Sequence, residues 1–377
     1  MTRFLAKLCT AGLCAYGLFA SPALAEDTAP AAVPAVPTME AAAKAAPLVG
    51  TLGDAELWRA YKAKFVTESG RVVDTANGMV SHSEGQGYGL LLAVAANDRL
   101  AFERIWGWTR ANLAVRNDEL LAWRWEPDHR PAVADLNDAA DGDILIAWAL
   151  AEAAQAWSED AYRVASRRIA VELGRRLILW KSADGAVLLP AAAGFASEDR
   201  PDGPIVNLSY YVFPAFIRLP LVAPEFDWAG LARTGLHLIE ASRFGEQNLP
   251  VEWISLSGGT PHPADGFAGE FAYNAIRIPL YLAWSGAGGR DHFAPFRAWS
   301  QNAGNLATLD VKSGRPVNRL DEAGYAAIPA LVACVISGSP WPANLRTLQE
   351  AGNYYSSTLQ LLSLVAVKMR APSCLQG

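Results

Sequence analysis

The first stretch whose residue types could do chemistry runs from Ser81 to Gly89 and reads SHSEGQGYG. It carries one carboxylate, Glu84, and glycines at 85, 87 and 89, which weaken a helix. At a loop-to-helix junction, such a segment holds an acid on a rigid element and leaves the backbone open to a ligand. The alternative is an N-terminal cap, with Ser83 as the capping residue and Glu84 in the first turn, where the helix dipole favours an acid. This segment alone leaves both interpretations open.

A second acidic stretch, Asp138–Asp143, leads into the apolar run from Ile144 to Leu150. We expect Asp141 or Asp143 to cap the start of that helix. One acid lies on each side of Gly142, and a cap needs only one of them. The second acid is therefore a candidate for chemistry. Two further stretches combine aromatic and polar residues, EFAYNAIR at Glu270–Arg277 and NYYS at Asn353–Ser356.

Carboxylates near exposed aromatic residues favour chemistry on sugars. Glycoside hydrolysis needs a carboxylic acid that protonates the leaving oxygen and, in most families, a second carboxylate. Trp and Tyr rings stack on the CH faces of sugars, and acids and amides bind the hydroxyls. Trp123, with polar neighbours, is a candidate for lining a cleft, whereas Trp148 lies at helical spacing and is more typical of a core.

The elements that would position these residues are mainly helices. Tyr162, Ala165, Ile169, Leu173 and Leu177 follow helical spacing. Strand-like alternation is limited to short pieces such as Gly185 to Leu189. Because polar and aromatic residues gather in the connections and no fixed repeat period is visible, the pattern predicts a helical toroid or solenoid with a cleft at one end. The other predicted helices are 54–67, 89–96, 100–113, 143–157, 208–218, 228–242, 273–284, 322–336 and 354–368.

The chain divides into three predicted parts. Residues 1–25 have the basic start, apolar run and small residues before the cleavage point of a secretory signal peptide, which places the mature protein in the periplasm or outside the cell. Residues 26–47 are rich in Ala and Pro and predict a flexible segment. Residues 48–377 contain no further linker, so we predict one catalytic domain.

The amino-acid composition limits the classes of partner that suit this protein. The formal net charge is −6 and no basic cluster is present, so nucleic acid is an unsuitable partner and a neutral substrate fits better. No stretch after the signal peptide is long enough to span a membrane, and no Cys/His spacing indicates a metal site or cofactor. Cys334 and Cys374 remain after cleavage, and pairing and two free thiols both stay open.

Five motifs follow one another along the chain, and they are GRVVD at 70–74, SHSEGQGYG at 81–89, ADGD at 140–143, NLSYY at 207–211 and YNAIRIPLY at 273–281. Together they resemble glycoside hydrolase family 8, and the likeness is nearest to the periplasmic endoglucanases that accompany bacterial cellulose synthases. It extends from about Asp54 to the last helix. The resemblance implies an all-α (α/α)6 barrel with an open cleft for a β-1,4-glucan, hydrolysis with inversion at the anomeric carbon, and the cellulose synthase machinery as a candidate partner.

The resemblance also assigns roles to individual residues. Glu84 matches the proton donor of the family. Asp141 matches the aspartate that binds the sugar at the cleavage point and is sometimes labelled the nucleophile, although Ala140 stands where the family usually has Ser or Thr. The residues that match substrate-contacting positions are Trp123, Tyr210, Arg277 and Tyr354.

Position 274 departs from the pattern, because the cellulases of the family have an aspartate there that activates the attacking water. Asn274 keeps the shape of that residue but cannot accept a proton at neutral pH. Glu270, which lies one turn earlier if the helix extends that far, is the first substitute base, followed by Asp141 and Asp265. The departure leaves two alternatives to a cellulase: a glucan-binding protein with little hydrolysis, or a hydrolase of another polymer such as xylan, chitosan or mixed-linkage glucan.

Overall fold

A computed structural model describes residues 46–301 and 306–376. The predicted signal peptide and nearly all of the Ala/Pro-rich segment lie outside these residues. The described part contains eleven α-helices, and none of them is long and apolar enough to cross a membrane. The helices are α1 (Ala55–Phe65), α2 (Ser83–Ala95), α3 (Arg99–Asn112), α4 (Ala140–Trp157), α5 (Asp160–Arg176), α6 (Phe213–Arg218), α7 (Trp228–Ala241), α8 (Arg277–Ser285), α9 (Arg290–Gln301), α10 (Ala323–Ser337) and α11 (Tyr354–Arg370).

Every predicted helix has a counterpart, but some boundaries were wrong. Helix α2 begins at Ser83, so the glycine-rich stretch is itself helical. The segment predicted from 208 to 218 divides into a 3-10 turn, Leu208–Tyr210, and the short helix α6. Helix α8 begins at Arg277 rather than Tyr273. Helix α9 was not predicted, and it carries Pro295 in its interior.

The strands are short and lie in the connections. They form antiparallel pairs and triplets, and the β3–β4 hairpin confirms the predicted alternation near Gly185. Strand β1 pairs with β2, which brings Ser81 opposite Trp125. The strands are β1 (Ser81–His82), β2 (Arg124–Trp125), β3 (Ile178–Ser182), β4 (Gly185–Leu188), β5 (Ile205–Val206), β6 (Ile254–Ser255), β7 (His262–Pro263), β8 (Glu270–Phe271), β9 (Ala307–Asp310) and β10 (Pro316–Arg319).

Five helices, α2, α4, α6, α8 and α11, are buried along most of their length. Helix α2 packs mainly against α4, and α8 contacts α6, α10 and α11. Such helices are held by packing on all sides rather than by one apolar stripe. In α2 every residue except Glu84 is buried, so this acid is the one side chain of the helix that reaches an open space.

The glycines of the acidic stretches allow these helices to approach one another. A Cβ atom on Gly87 would lie 2.6 Å from the Cβ of Leu145 in α4. On Gly142 it would lie 2.0 Å from the Ser83 hydroxyl, which belongs to α2. Close contact between α2 and α4 therefore requires glycine at both positions and offsets its low helix propensity.

The free N–H groups at the starts of α2 and α4 are satisfied in different ways. His82 and Ala139 occupy the N-cap positions and make no side-chain cap hydrogen bond. The Ser83 N–H instead donates to the backbone carbonyl of Trp123, at 3.0 Å. Asp143 accepts the Leu121 N–H at 2.9 Å and so holds the segment that precedes Trp123. Ser83 as the cap of α2 was therefore wrong. The expectation that Asp141 or Asp143 satisfies a free amide of α4 is confirmed for Asp141, because its Oδ1 accepts the Gly142 N–H at 2.8 Å.

Cys334 and Cys374 form a disulfide between α10 and the turn after α11. Their Cα atoms are 6.0 Å apart, within the range that a disulfide requires. The bond decides between the two alternatives left open by the sequence.

Substitution of Gly142 by alanine tests the close packing of α2 and α4. We expect Gly142→Ala to lower the free energy of unfolding by about 1–3 kcal/mol, because the new methyl group overlaps Ser83. Thermal and urea unfolding measure this change. The matched control is Gly107→Ala in α3, where no atom lies within 4 Å of the new Cβ, and it should be neutral or stabilising by about 1 kcal/mol. Equal effects of both substitutions would contradict the packing explanation.

Candidate active site

The first residues of α2, α4 and α8 meet around one buried guanidinium. Nη1 of Arg277 lies 2.7 Å from Oε2 of Glu84 and 2.9 Å from Oδ2 of Asp141. The side chains of Arg277 and Asp141 are almost fully buried, whereas 23% of the Glu84 side chain is exposed. Since an unpaired buried charge is costly, the two carboxylates and the guanidinium stabilise one another.

Neutral groups fix the remaining positions of the guanidinium. Nη2 of Arg277 donates to the Ser209 hydroxyl at 2.9 Å and to Oδ1 of Asn274 at 2.7 Å. Nη1 also donates to the Tyr88 hydroxyl at 3.1 Å. Ser209 lies in the 3-10 turn that follows β5, so this turn, α2 and the segment before α8 all hold the same side chain.

The acid pair retains a proton near neutral pH. Burial raises the pKa of Asp141 to about 7, and repulsion from the Glu84 carboxylate adds to this, while Arg277 acts in the opposite direction. Asp141 therefore keeps its proton near neutral pH directly beside Glu84. Around neutral pH the arrangement can therefore donate a proton, and Glu84 is the member that reaches the open space.

A cavity of about 640 Å³ lies above the acid pair. Six of the eight residues predicted for the site line it together, and these are Glu84, Asp141, Trp123, Tyr210, Asn274 and Tyr354. Arg277 is not among the lining residues, because it lies beneath the two acids. Other lining residues that the sequence analysis did not select are Asp74, His82, Trp253, Tyr273, Tyr325 and Tyr355.

Aromatic rings shape two parts of this cavity. The Trp123 indole donates to Asp135 at 2.8 Å, and its ring is nearly parallel to the His82 ring at a centroid distance of 6.5 Å. Trp253 stacks between Phe195 and Phe267 at 5.5 and 4.8 Å. Ring faces fixed in this way suit the apolar faces of sugar rings.

The omission of Trp253, Tyr273 and Tyr355 has a simple cause. They come from a connection, a turn and the first turn of α11, and no periodicity identifies their side chains as cavity residues. A signal was present for Tyr273 and Tyr355, because each adjoins a residue already selected. Trp253 follows Glu252 outside the recognised motifs.

The structure places the proposed substitute bases elsewhere. Glu270 belongs to β8, pairs with Asp310 across the ladder and does not line the cavity. Because α8 begins only at Arg277, the helical spacing that favoured Glu270 was wrong. Asp265 is exposed and also lies outside the lining, with its N–H donated to Asp202 at 2.9 Å. Asp141 lies next to Glu84, on the same guanidinium.

A larger groove of about 710 Å³ lies between α3 and α5, but it lacks such an acid pair. Its acids Glu103 and Glu119 lie near the surface arginines Arg99 and Arg168. Among the described residues no group of three or more His, Cys, Asp or Glu side chains is arranged to hold a metal ion.

Comparison with known proteins then decides the family. A model described as "Glycosyl hydrolases family 8" matches residues 35–369. The chain belongs to glycosyl hydrolase family 8. The match confirms the resemblance seen in the five motifs.

Individual members of family 8 are similar to this chain in sequence and structure. A probable endoglucanase of Novacetimonas hansenii is 36% identical over 317 residues, covering 83% of this chain and 90% of that protein. The structure of endoglucanase Cel10 from Klebsiella pneumoniae superposes with a TM-score of 0.76 and 33% identity, covering 83% and 99% of the two chains. That of the endo-β-1,4-glucanase CMCax from Acetobacter xylinum gives a TM-score of 0.75 and 35% identity, covering 85% and 98%. These neighbours are (α/α)6 barrels, which confirms the predicted fold.

The acid pair predicts how the activity of this family 8 hydrolase depends on pH. Activity that needs the proton of the pair should fall as pH rises through about 7, because Asp141 then loses its proton. The alkaline limb of a kcat/KM profile on soluble cellulose measures this. In Asp141→Asn that limb should move or disappear, whereas it should stay in place in Asp265→Asn. An unchanged limb in both variants would contradict the assignment to the pair.

Proposed function

We propose that this glycosyl hydrolase is an inverting endo-β-1,4-glucanase that cleaves cellulose-type glucan with Glu84 as the general acid. One observation carries the proposal. Glu84 is the only residue of α2 that is not buried, it shares Arg277 with the protonatable Asp141, and it lies in an open cavity lined with aromatic rings. The relatives described as endoglucanases support the choice of substrate.

The geometry supplies the first half of the reaction. A glucan that crosses the cavity places one glycosidic oxygen at Glu84, which donates its proton as the bond between that oxygen and the anomeric carbon breaks. Asp141 and Arg277 keep the acid in place, and Asp141 is available to bind the sugar at the cleavage point. Trp123 and Tyr210 offer ring faces that orient neighbouring sugars.

The arrangement of the acids supports the proposal of inversion. Glu84 and Asp141 are bound to the same nitrogen of Arg277, which supports a substrate position with both acids on one side of the sugar. A retaining mechanism needs a carboxylate that attacks the opposite face of the anomeric carbon. Asn274, the residue at the position of the family's base, lines the cavity and has no nucleophilic carboxylate, so water attacks.

The resemblance to periplasmic endoglucanases supports a proposal for the biological setting. We assign the mature protein to the periplasm or the cell exterior, and a role beside bacterial cellulose synthesis suits an enzyme that trims a newly made glucan. Xylan, chitosan and mixed-linkage glucan are the competing substrates, and turnover on a panel of these polymers separates them from cellulose.

A glucan-binding protein with little hydrolysis is the second candidate, and Asn274 is the observation that favours it. Such a protein would bind the polymer in the same cavity. It would release no reducing ends at any pH while folded.

Replacement of Glu84 tests the general acid. We expect Glu84→Gln to lower reducing-end release from carboxymethylcellulose by about 10²–10⁴-fold, since an amide has no proton to donate at this pH. Binding of cello-oligosaccharides should be retained. Glu270→Gln is the matched control, because it makes the same change outside the cavity and should keep near wild-type activity. Full activity of Glu84→Gln would refute the assignment of Glu84 as the general acid. Absence of reducing-end release by the folded wild type would favour the glucan-binding protein.

The anomer that is formed tests inversion. Cleavage of a β-1,4-linked oligosaccharide should first produce the α-anomer at the new reducing end, because water attacks opposite the leaving oxygen. Proton NMR during the first minutes of the reaction, before mutarotation, distinguishes the two anomers. Initial accumulation of the β-anomer would show retention.

A further inference from the structure

Trp123 lies in the lining of the cavity, and its backbone is bound to the helix of the general acid. Its carbonyl oxygen accepts the N–H of Ser83, the residue before Glu84, at 3.0 Å. Its own N–H donates to the Asn137 carbonyl oxygen, also at 3.0 Å. These bonds fix the backbone of Trp123 relative to Glu84. They leave the side-chain torsions of the indole unrestrained, and these torsions decide where the ring faces point.

A single hydrogen bond sets the orientation of the indole. Nε1 of Trp123 donates to Oδ2 of Asp135 at 2.8 Å. Indole has only this N–H, so Asp135 takes the one hydrogen bond that the ring can donate. A carboxylate acceptor makes such a bond stronger than a neutral acceptor does. Asp135 does not line the cavity, so it acts on a bound sugar only through Trp123.

The carboxylate of Asp135 is itself held in place by its own loop, residues 126–137. Its second oxygen, Oδ1, accepts the Asn137 N–H at 2.9 Å, in the side chain-to-backbone turn that aspartate favours. The Asn137 side chain donates to the Ala193 carbonyl oxygen at 3.0 Å, which binds the end of the loop to the connection after β4. Both oxygens of Asp135 therefore have fixed partners, and the one that faces the indole is oriented by the loop.

Two further groups support the same ring. His82 in β1 and Arg124 in β2 are cross-strand partners, so both lie on one face of this strand pair. The His82 ring is nearly parallel to the Trp123 ring, and Cζ of Arg124 lies 5.6 Å from the centroid of that ring. Such contacts constrain a ring less strictly than a hydrogen bond, which requires one direction. The bond to Asp135 is therefore the contact that selects one orientation of the indole.

The exposure of Asp135 separates a role in binding from a role in stability. Because water can replace either partner, one hydrogen bond at this exposed position shifts an equilibrium by only about 2–10-fold. Such a shift is small compared with the folding equilibrium of a whole domain. It is large enough to change how often the indole is oriented to receive a sugar, and a ring that is already oriented binds without an ordering cost.

We propose that Asp135 is a positioning residue that strengthens the binding of glucan by keeping the Trp123 indole oriented towards the sugar. The inference rests on the proposed function, in which Trp123 offers a ring face to a neighbouring sugar. A sugar that stacks but is not cleaved stabilises the bound substrate and the transition state equally. Asp135 therefore acts on KM and on affinity, whereas kcat stays the same.

Substitution of Asp135 tests this role in the full-length enzyme. Asp135→Ala should raise KM for carboxymethylcellulose by about 3–10-fold and leave kcat within about 2-fold of the wild type, because one orienting hydrogen bond is lost. Asp128→Ala is the matched control, since it removes an exposed carboxylate from the same loop, and it should leave both constants unchanged. A fall in kcat at constant KM, or equal effects of the two substitutions, would overturn the proposal.

A double-mutant cycle shows whether Asp135 acts through Trp123. Trp123→Phe keeps an aromatic ring and removes the N–H, so we expect it to raise KM as well. In the Trp123→Phe background, Asp135→Ala should change KM by less than about 2-fold, because no bond to the ring is left to break. If Asp135 only stabilised its loop, Asp135→Ala would raise KM by the same factor in both backgrounds, and the proposal would fail.

Binding measured without cleavage separates this inference from the proposed function. Calorimetry with cellohexaose should give a dissociation constant about 3–10-fold higher for Glu84→Gln/Asp135→Ala than for Glu84→Gln, and no change for Glu84→Gln/Asp128→Ala. Equal affinities of the three variants would contradict the role of Asp135. Wild-type protein that releases no reducing ends would refute the proposed hydrolase, whatever the affinities are. An active enzyme whose KM is unchanged by Asp135→Ala would refute only the positioning role.

Discussion

The buried guanidinium of Arg277 is the group on which the site depends. It lies at the first residue of α8 and contacts acids from the first turns of α2 and α4. Removing a charge from water is so costly that all its donors must find partners, and carboxylates are the best of them. The need to satisfy one cation therefore fixes where three helices begin relative to each other.

Where the three helices meet, two opposing influences act on the protonation of the acids. The positive ends of α2 and α4 favour the charged form of a carboxylate, whereas burial and the second carboxylate favour the neutral form. For Asp141 burial is the largest influence, and the pKa rises to about 7. A proton is thereby kept at neutral pH beside Glu84, the residue of the pair that the packing of α2 leaves open.

Local charge balance also describes the contacts of Asn274. Its carboxamide oxygen accepts from Arg277 at 2.7 Å, and its backbone N–H donates to Glu252 at 2.6 Å. The residue therefore lies between a cation and a carboxylate, and both contacts fix its position in the lining of the cavity.

The amino-acid sequence determined the class of fold, most of the helices and six of the residues that line the cavity. These follow from local information, since apolar spacing identifies a helix and motifs in order identify a family. Tertiary structure decided the rest. Each glycine of α2 lies where a neighbouring segment approaches closely, and for Gly87 this segment is α4. Glu270 lies outside the cavity because β8 and not a helix precedes Asn274, and Glu252 meets Asn274 across 22 residues of chain. Spacing along a chain carries no information on contacts between distant segments, and these contacts decide which carboxylates share a proton or a partner.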